Sequence, residues 1–414
     1  MKNYIQEKIK KLKFKKITPI QKEIFDNFDK PYHLVGISPT GTGKTHAYLL
    51  PILSKINWEQ NNIQAIIVTP TNELIFQIFQ MLKVIENKCS KVKILYGGID
   101  KKKILKSLEK KQPPLIITTL SKLVEFSSIF QKIKFHKSSF LVLDEADMLF
   151  DQKSLFLLDE LLSKWRPKIL LFSASITDKM KPFINKYFGK SLFLNVNDKQ
   201  KLNLKYYTLF SYKEKRLNDL KHLITKLNPY SALIFVSKKT EQLKIYNFLK
   251  EFNLNILNFS SDLTVQKRKY FINEIKKMKY QYILTSDLAS RGLDLDIEWV
   301  IHYDLPHKNL EFFQHRSGRT GRMGKEGKVL IFYDEKEINS LTKIKKNNNI
   351  SFQNIVLTEN GFREKQINQK QKPKLLNNKN KKNHFPNKKN ISYKKSNNII
   401  KTSKKNKKKY DQNR

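Results

Sequence analysis

The sequence predicts two tandem α/β domains with mostly parallel sheets, followed by a disordered basic C-terminal tail. Three observations carry that prediction. Short aliphatic runs that end in a polar residue alternate with amphipathic stretches, which is the rhythm of strands and helices in a parallel sheet. The rhythm breaks at a polar stretch near 197–205 and then starts again. From 358 the apolar period is lost altogether. A chain of 414 residues suits this plan, since a domain takes about 100–200 residues and a surplus remains.

The first domain, 1–196, holds the runs Leu34-Val-Gly-Ile, Ala65-Ile-Ile-Val-Thr, Leu115-Ile-Ile-Thr-Thr, Phe140-Leu-Val-Leu-Asp and Ile169-Leu-Leu-Phe-Ser. Each is a buried strand by composition. Between them, Glu73-Leu-Ile-Phe-Gln-Ile-Phe-Gln-Met-Leu has helical spacing. Residues 197–205 form the linker. The second domain, 206–357, repeats the design with strands at Ala232-Leu-Ile-Phe-Val, Tyr282-Ile-Leu-Thr-Ser, Val300-Ile-His-Tyr-Asp and Val329-Leu-Ile-Phe-Tyr. Open sheets of this kind place their sites at the carboxyl ends of the strands. Residues 358–414 carry 17 Lys, 2 Arg and 12 Asn against 3 acids. That composition buries too little surface to offset chain entropy, so a disordered tail is expected.

Composition narrows the function classes. With 39% hydrophobic residues the chain can build cores, and one cysteine, Cys89, excludes an internal disulfide framework or a multi-Cys zinc site. No apolar stretch reaches the roughly 18 residues of a membrane span, and the N-terminus lacks the hydrophobic run of a signal peptide. A cytoplasmic protein is expected. The formal charge is +44, of which the tail supplies +16, so the two domains themselves carry +28. Such a surface suits a polyanion, and nucleic acid is the usual one. A lysine-rich composition imposed by an AT-rich genome is the alternative. Arginine is informative here: of 81 basic residues only nine are Arg, and four of those are Arg291, Arg316, Arg319 and Arg322. That cluster asks for the planar, multi-donor guanidinium that Lys does not offer.

Three motifs carry chemistry. Ser38-Pro-Thr40-Gly41-Thr42-Gly43-Lys44-Thr45 follows a strand and opens a helix. Its glycines let backbone N–H groups curl around phosphates, Lys44 reaches the outer phosphates, and Thr45 offers a hydroxyl to Mg²⁺. Ser38 stands where the general phosphate-binding loop has glycine. The second motif is Phe140-Leu-Val-Leu-Asp144-Glu145-Ala-Asp147. A buried strand delivers Asp144 to the sheet edge, where it can hold Mg²⁺, and Glu145 can orient the attacking water or take its proton. The third is His315-Arg316-Ser-Gly-Arg319-Thr-Gly-Arg322, whose arginines recur every third residue and can stabilise charge that develops on a γ-phosphate. Plain contact with a nucleic-acid backbone is the alternative for that cluster. A phosphate loop in one domain and arginines in the other make a nucleotide the link between them.

With these motifs in place the sequence resembles the DEAD-box ATP-dependent RNA helicases, whose fold is two RecA-like domains. Phe14-Lys-Lys-Ile-Thr18-Pro-Ile-Gln21 is similar to the family's Q motif, and Asp-Glu-Ala-Asp147 spells its name. Ser173-Ala-Ser175 resembles Ser-Ala-Thr, Ser286-Asp287-Leu-Ala-Ser-Arg-Gly-Leu-Asp294 resembles Thr-Asp-x-Ala-x-Arg-Gly-x-Asp, and 315–322 matches the last helicase motif in full. The likeness runs from about 13 to 335 in family order, and it is most like the cold-shock members of low-GC bacteria. It implies an RNA-stimulated ATPase with ATP and Mg²⁺ at its centre. Gln21 would read adenine, Phe14 would stack on it, and Thr18 would brace the loop. Asp294 would bind ribose, and Arg319 and Arg322 would face the γ-phosphate. Asp147, Ser173, Ser175, His315 and Arg316 would couple the nucleotide to RNA held at Pro70, Thr71, Gly97, Gly98, Thr119, Arg268, Ser286 and Asp287. Structured RNA of low sequence specificity is the implied partner, met by a monomer, with ribosomal particles or RNA-decay machinery as further partners.

The departures fall on the RNA side. Asn72 stands for the Arg of Pro-Thr-Arg-Glu-Leu, Thr119-Leu120-Ser-Lys122 for Thr-Pro-Gly-Arg, and Val265 for the Gln three residues before Arg268. The aromatic that the family carries further upstream of the Q motif has no room here. Trp58, Trp165 and Trp299 are expected in the cores, Cys89 as an unremarkable thiol, and His46 and His302 lack partners at metal-ligand spacing. The tail is expected to tether RNA through charge, or else only to keep the chain soluble. Two rivals stand beside this reading. A DNA-translocating helicase is opposed by Gln21 and the Asp-Glu-Ala-Asp spelling, and a non-catalytic RNA chaperone is opposed by Lys44, Glu145 and Arg319.

Overall fold

A computed structural model describes residues 1–365 apart from 151, 177, 179, 198–201, 288, 291–294, 296, 307–311 and 322–324. Helices α1 (Lys2–Lys11) and α2 (Pro19–Asn27) precede β1 (His33–Ile37). The chain continues through α3 (Lys44–Lys55), β2 (Ala65–Thr69), α4 (Asn72–Ile85), β3 (Val92–Leu95), α5 (Lys101–Lys110), β4 (Leu115–Thr119) and α6 (Leu120–Val124). It then forms β5 (Phe140–Leu143), α7 (Ala146–Leu149), α8 (Gln152–Ser163), β6 (Lys168–Ser173), α9 (Lys181–Tyr187) and β7 (Ser191–Asn195).

These seven strands make one sheet in the order β3-β4-β2-β5-β6-β1-β7, with every neighbouring pair parallel. The side-chain period of two divides each strand between two cores. In β2, Ile66 and Val68 enter one core while Ala65 and Ile67 enter the other. Helices cover both faces, which is why the sequence shows continuous aliphatic runs instead of alternation. Each fully buried Ile or Leu there contributes roughly 1.5–3 kcal/mol of burial free energy.

The second sheet is built from β8 (Leu204–Phe210), α10 (Arg216–Leu227), β9 (Ala232–Phe235), α11 (Lys239–Lys250), β10 (Ile256–Phe259), α12 (Val265–Lys276) and β11 (Tyr282–Thr285). Then come β12 (Trp299–His302), α13 (Phe312–Ser317), β13 (Gly327–Tyr333), α14 (Ile338–Asn348), β14 (Gln353–Thr358) and β15 (Gly361–Glu364). The strand order is β10-β11-β9-β12-β13-β8-β14-β15, and only the β14–β15 pair is antiparallel.

Two expected boundaries need correction. Leu204 and Lys205 are the first residues of β8, so the linker is shorter than 197–205. The tail does not begin at 358, because Thr358 closes β14 and β15 pairs back on it, Val356 opposite Arg363. Ile355 is buried against the sheet, with Leu357 and Phe362 beside it. That alternation is only a few residues long and its neighbours are Asn, Glu and Lys, so the apolar signal is diluted. The expectation of disorder from 366 onward lies outside the described residues. The three tryptophans are all buried, as expected.

Candidate functional site

Candidate residues collect at the carboxyl ends of strands in both sheets. Ser38 follows β1, Pro70 and Thr71 follow β2, Gly97 and Gly98 come after β3, Thr119 ends β4, Asp144 follows β5 and Ser173 ends β6. In the second sheet, Ser237 comes after β9, Ser286 and Asp287 follow β11, Asp304 comes after β12, and α13 carries His315 and Arg316.

The phosphate-loop sequence is held from both sides. Ser38 N–H donates to Ser173 O at 3.1 Å, and the Ser38 and Thr42 hydroxyls share a 2.9 Å hydrogen bond across the loop. Ser38 therefore does a closing job that a glycine has no side chain to do. Gly43 has φ +90, and a Cβ there would lie 2.6 Å from the Gln21 amide, so only glycine fits both the turn and the packing. Gln21 Oε1 accepts from Thr18 N–H at 3.0 Å, while its Nε2 donates to Gly43 O at 3.3 Å. Thr18 caps α2 in return. The Q-motif amide thus spends one lone pair and one N–H on the fold and keeps one of each. Phe14 meets His46, in the first turn of α3, edge to face at 5.1 Å.

Behind the loop lies a buried set of charges. Lys44 donates to Ser38 O at 2.6 Å and Pro39 O at 2.9 Å, and burial lowers its pKa while Asp144, Asp147 and Glu145 oppose that. Asp144 is pushed up to about 6 by burial and by the Glu145 charge, against the hydrogen bond from Tyr48 and the Lys44 ammonium. Glu145 occupies the left-handed region at φ 48, where a non-glycine residue costs roughly 1–2 kcal/mol. Strain of this kind persists where the surroundings fix a side chain for use. Glu145 Oε2 is buried and without a hydrogen-bond partner. The site therefore has a carboxylate oxygen in want of a donor such as water, a glycine-turned loop with an ammonium beside it, and an acid for a cation. Nucleotide and Mg²⁺ both fit that donor set. Among the described residues no three His, Cys, Asp or Glu gather around one point.

The second domain closes onto this set. His315 Nε2 lies 2.5 Å from Asp147 Oδ2, and His315 Nδ1 lies 3.4 Å from Thr40 Oγ1. Burial alone would lower the His315 pKa, but the charge and hydrogen bond of Asp147, with Glu145, raise it above its ordinary value. Burial pushes Asp147 up, yet His315 and the Ser173 hydroxyl hold it below the usual carboxylate value. Gly318 approaches so closely that a Cβ there would sit 3.0 Å from Thr40. Arg319 is buried; desolvation lowers its pKa and Glu145 opposes, and its charge is felt by Lys44 and His315. Ser173 Oγ accepts from Asp147 N–H at 3.3 Å and donates to Ser175 O at 2.7 Å. Loop, acids, serines and α13 therefore form one connected unit.

The residues expected at RNA are arranged differently. Thr71 caps α4, Gly98 is exposed, and Thr119 is half-buried with its hydroxyl 3.3 Å from Ser121 Oγ. Asn72 accepts from Gly97 N–H at 3.0 Å and so ties the start of α4 to the glycine pair. Lys122 is paired with Glu125, which also holds Lys101 at 2.5 Å. Two expected contacts are occupied within the protein. The Asp287 carboxylate takes both Nε and Nη2 of Arg316, at 2.5 and 2.7 Å. Arg268 is buried, donates to Ala289 O and lies 2.7 Å from Glu73 of the first domain. Beside it, Lys269 sits over the Phe76 ring at 4.5 Å. Arg268 is therefore a bridge between domains before it is anything else.

Asp294, Arg322 and Arg291 lie outside the described residues. Four contributors escaped the sequence reading: Tyr48, Glu73, Ser237 and Asp304. Asp304 accepts from Ser237, and Arg316 donates to the Asp304 carbonyl at 2.7 Å and to Ser237 Oγ. Tyr48 was detectable as a lone polar aromatic in an aliphatic helix, three residues after Thr45. The others had no local signal.

Comparison with known proteins finds matches along most of the chain. Residues 18–183 match the DEAD/DEAH box helicase family, and 215–324 match the helicase conserved C-terminal domain. The chain is 34% identical over 355 residues to the DEAD-box ATP-dependent RNA helicase CshB of Bacillus subtilis, spanning 84% of this chain and 80% of that protein. It is 32% identical over 370 residues to CshB of Bacillus cereus, spanning 86% and 83%. Among solved structures, Mss116p bound to single-stranded RNA and AMP-PNP aligns at TM-score 0.75 and 26% identity, over 86% of this chain and 78% of that one. S. cerevisiae Dbp5 bound to RNA and ADP BeF3 shares the fold at TM-score 0.76 and 24% identity, over 85% and 93%.

Proposed function

The chain belongs to the DEAD-box ATP-dependent RNA helicases, and from that premise we propose how its residues divide the work. The enzyme couples ATP binding and hydrolysis to clamping of RNA and local duplex unwinding, on two RecA-like domains. In our reading Phe14 and the free capacity of Gln21 recognise adenine, with Thr18 bracing the loop. The amides of Thr40, Gly41, Thr42 and Gly43 and the ammonium of Lys44 take the phosphates, with Ser38 closing the loop around them. Thr45 and Asp144 would hold Mg²⁺, which when bound neutralises charge on the phosphate oxygens. Glu145 takes the proton of the attacking water through its unpartnered oxygen. Arg319, with Arg322, stabilises the charge that develops on the γ-phosphate, and Asp294 holds the ribose.

The single observation that carries this reading is the Asp147–His315 contact, which joins residues 168 apart and brings Arg319 to the acids. RNA would lie along Pro70, Thr71, Gly98, Thr119, Ser286 and Asp287, with Arg268 fastening the domains beneath it. Asp147, Ser173, Ser175, His315 and Arg316 would pass the nucleotide state to that groove. The reading extends to a monomer that works in the cytoplasm on structured RNA of low sequence specificity. Ribosomal particles and RNA-decay assemblies are the settings where such RNA is met. Residues 366–414, with their many lysines, act in this reading as a charge tether for RNA. Among the described residues no helix is long and apolar enough to cross a membrane.

The test is Glu145→Gln, which keeps shape but does not accept a proton. ATP and RNA binding should persist while hydrolysis falls about 10²–10⁴-fold, as for loss of a general base. Hydrolysis near the unmodified rate removes Glu145 from its role.

A further inference from the structure

We infer that Tyr48 is a positioning residue for the Mg²⁺ site, its hydroxyl holding the Asp144 carboxylate in the orientation that receives the ion. The inference rests on the assignment of Thr45 and Asp144 to Mg²⁺ and concerns what lies behind them. Tyr48 sits one turn after Thr45 on α3, fully buried, with its ring 5.1 Å from that of Phe172. Its hydroxyl donates to Asp144 Oδ2 at 2.8 Å. The other carboxylate oxygen, Oδ1, accepts from Glu145 N–H at 3.0 Å. With one donor on each oxygen, the carboxylate plane is fixed by backbone on one side and by a phenol on the other.

Packing does not require this hydroxyl. The Tyr48 ring belongs to a buried apolar cluster with Ala47, Leu49, Leu50, Ile52, Leu53 and Phe172, and a phenylalanine ring would fill the same space. The oxygen answers to Asp144. Groups that orient a metal-holding side chain typically change metal affinity 10–100-fold when removed, because the freed ligand must be re-ordered each time the ion binds.

The experiment titrates Mg²⁺ into full-length protein with a fluorescent ATP analogue as the probe. Tyr48→Phe should raise the Mg²⁺ concentration for half-maximal tightening of nucleotide binding by about tenfold, while affinity in EDTA stays unchanged. A midpoint unchanged from the unmodified protein overturns the inference. So does an equal loss with and without Mg²⁺, which is the mark of a packing defect. A second measurement keeps the hydroxyl: with 3-fluorotyrosine at position 48, the fluorine resonance should shift when Mg²⁺ is added to nucleotide-bound protein, and an unmoved resonance also overturns it. Asp144→Asn separates the two levels. If Mg²⁺ dependence survives there, the metal assignment fails and takes Tyr48 with it. If dependence is lost there but intact in Tyr48→Phe, only Tyr48 is removed.

Discussion

The nucleotide side and the RNA side of this helicase are assembled by different physics. On the nucleotide side, Lys44, Asp144, Glu145, His315 and Arg319 are buried close enough to feel one another's charge. On the side proposed for RNA, Gly98 is exposed and Pro70 and Thr119 are half-buried. The departures at Asn72, Leu120–Lys122 and Val265 fall on the second side, and two of these side chains have found a local partner. Asn72 receives the Gly97 amide and Lys122 pairs with Glu125. A buried charge that loses its partner is strongly destabilising, whereas an exposed polar residue that changes type loses little. A face that holds a phosphate backbone through main-chain groups tolerates such drift.

The largest effect expected from this contrast is at Arg319. Arg319→Lys keeps the charge but loses the planar fork, and hydrolysis should fall about 10³-fold. RNA binding measured by fluorescence anisotropy should hold. If both fall together, the two sides are not separable in the way described.

The seam between them titrates. The His315–Asp147 contact contributes fully below the ordinary histidine value of about 6.5 and is lost as pH rises through the raised value of His315. Asp147, held below its ordinary value, stays ionised over that whole window. Glu145 and Arg319 face the same imidazole with opposing effects, Glu145 raising its pKa and Arg319 lowering it. The RNA concentration for half-stimulation should therefore rise several-fold from neutral to alkaline pH, and His315→Gln should flatten that dependence. An unchanged profile in the variant would place the titrating group elsewhere.

The smallest effect belongs to Asn72. Asn72→Ala frees the Gly97 amide, and half-stimulation should need roughly threefold more RNA, equivalent to about 0.7 kcal/mol for one hydrogen bond. Because no phosphate-neutralising charge is removed, the slope of affinity against salt should not move. A flatter slope would mean that position 72 acts on the RNA backbone through charge after all.

How much was legible beforehand follows the same division. The strands found in the sequence lie inside the sheets: β1, β2, β4, β5 and β6 in the first, and β9, β11, β12 and β13 in the second. Those missed include all four edges, β3, β7, β10 and β15. An interior strand is covered on both faces and must be aliphatic throughout. An edge strand such as Ser191–Asn195, with Phe193 exposed, is relieved of that demand and loses its signature. β8 and β14, next to β15, were missed for a related reason, since their polar Lys205, Thr208 and Asn354 break up the aliphatic run.

The sequence by itself determined the chemistry of the site: a phosphate loop, a paired acid at a strand end and an arginine cluster each need particular residue types at fixed local spacing, and local spacing is what a sequence displays. Only the tertiary structure decided the partners. It pairs Arg268 with Glu73 across the domains, seats Arg316 on the Asp287 carboxylate, and sets the hydroxyl of Tyr48, one aromatic in an aliphatic helix, on Asp144. These pairings join residues 195, 29 and 96 apart, and their strength comes from burial and direction, which exist only once the strands have brought their ends together.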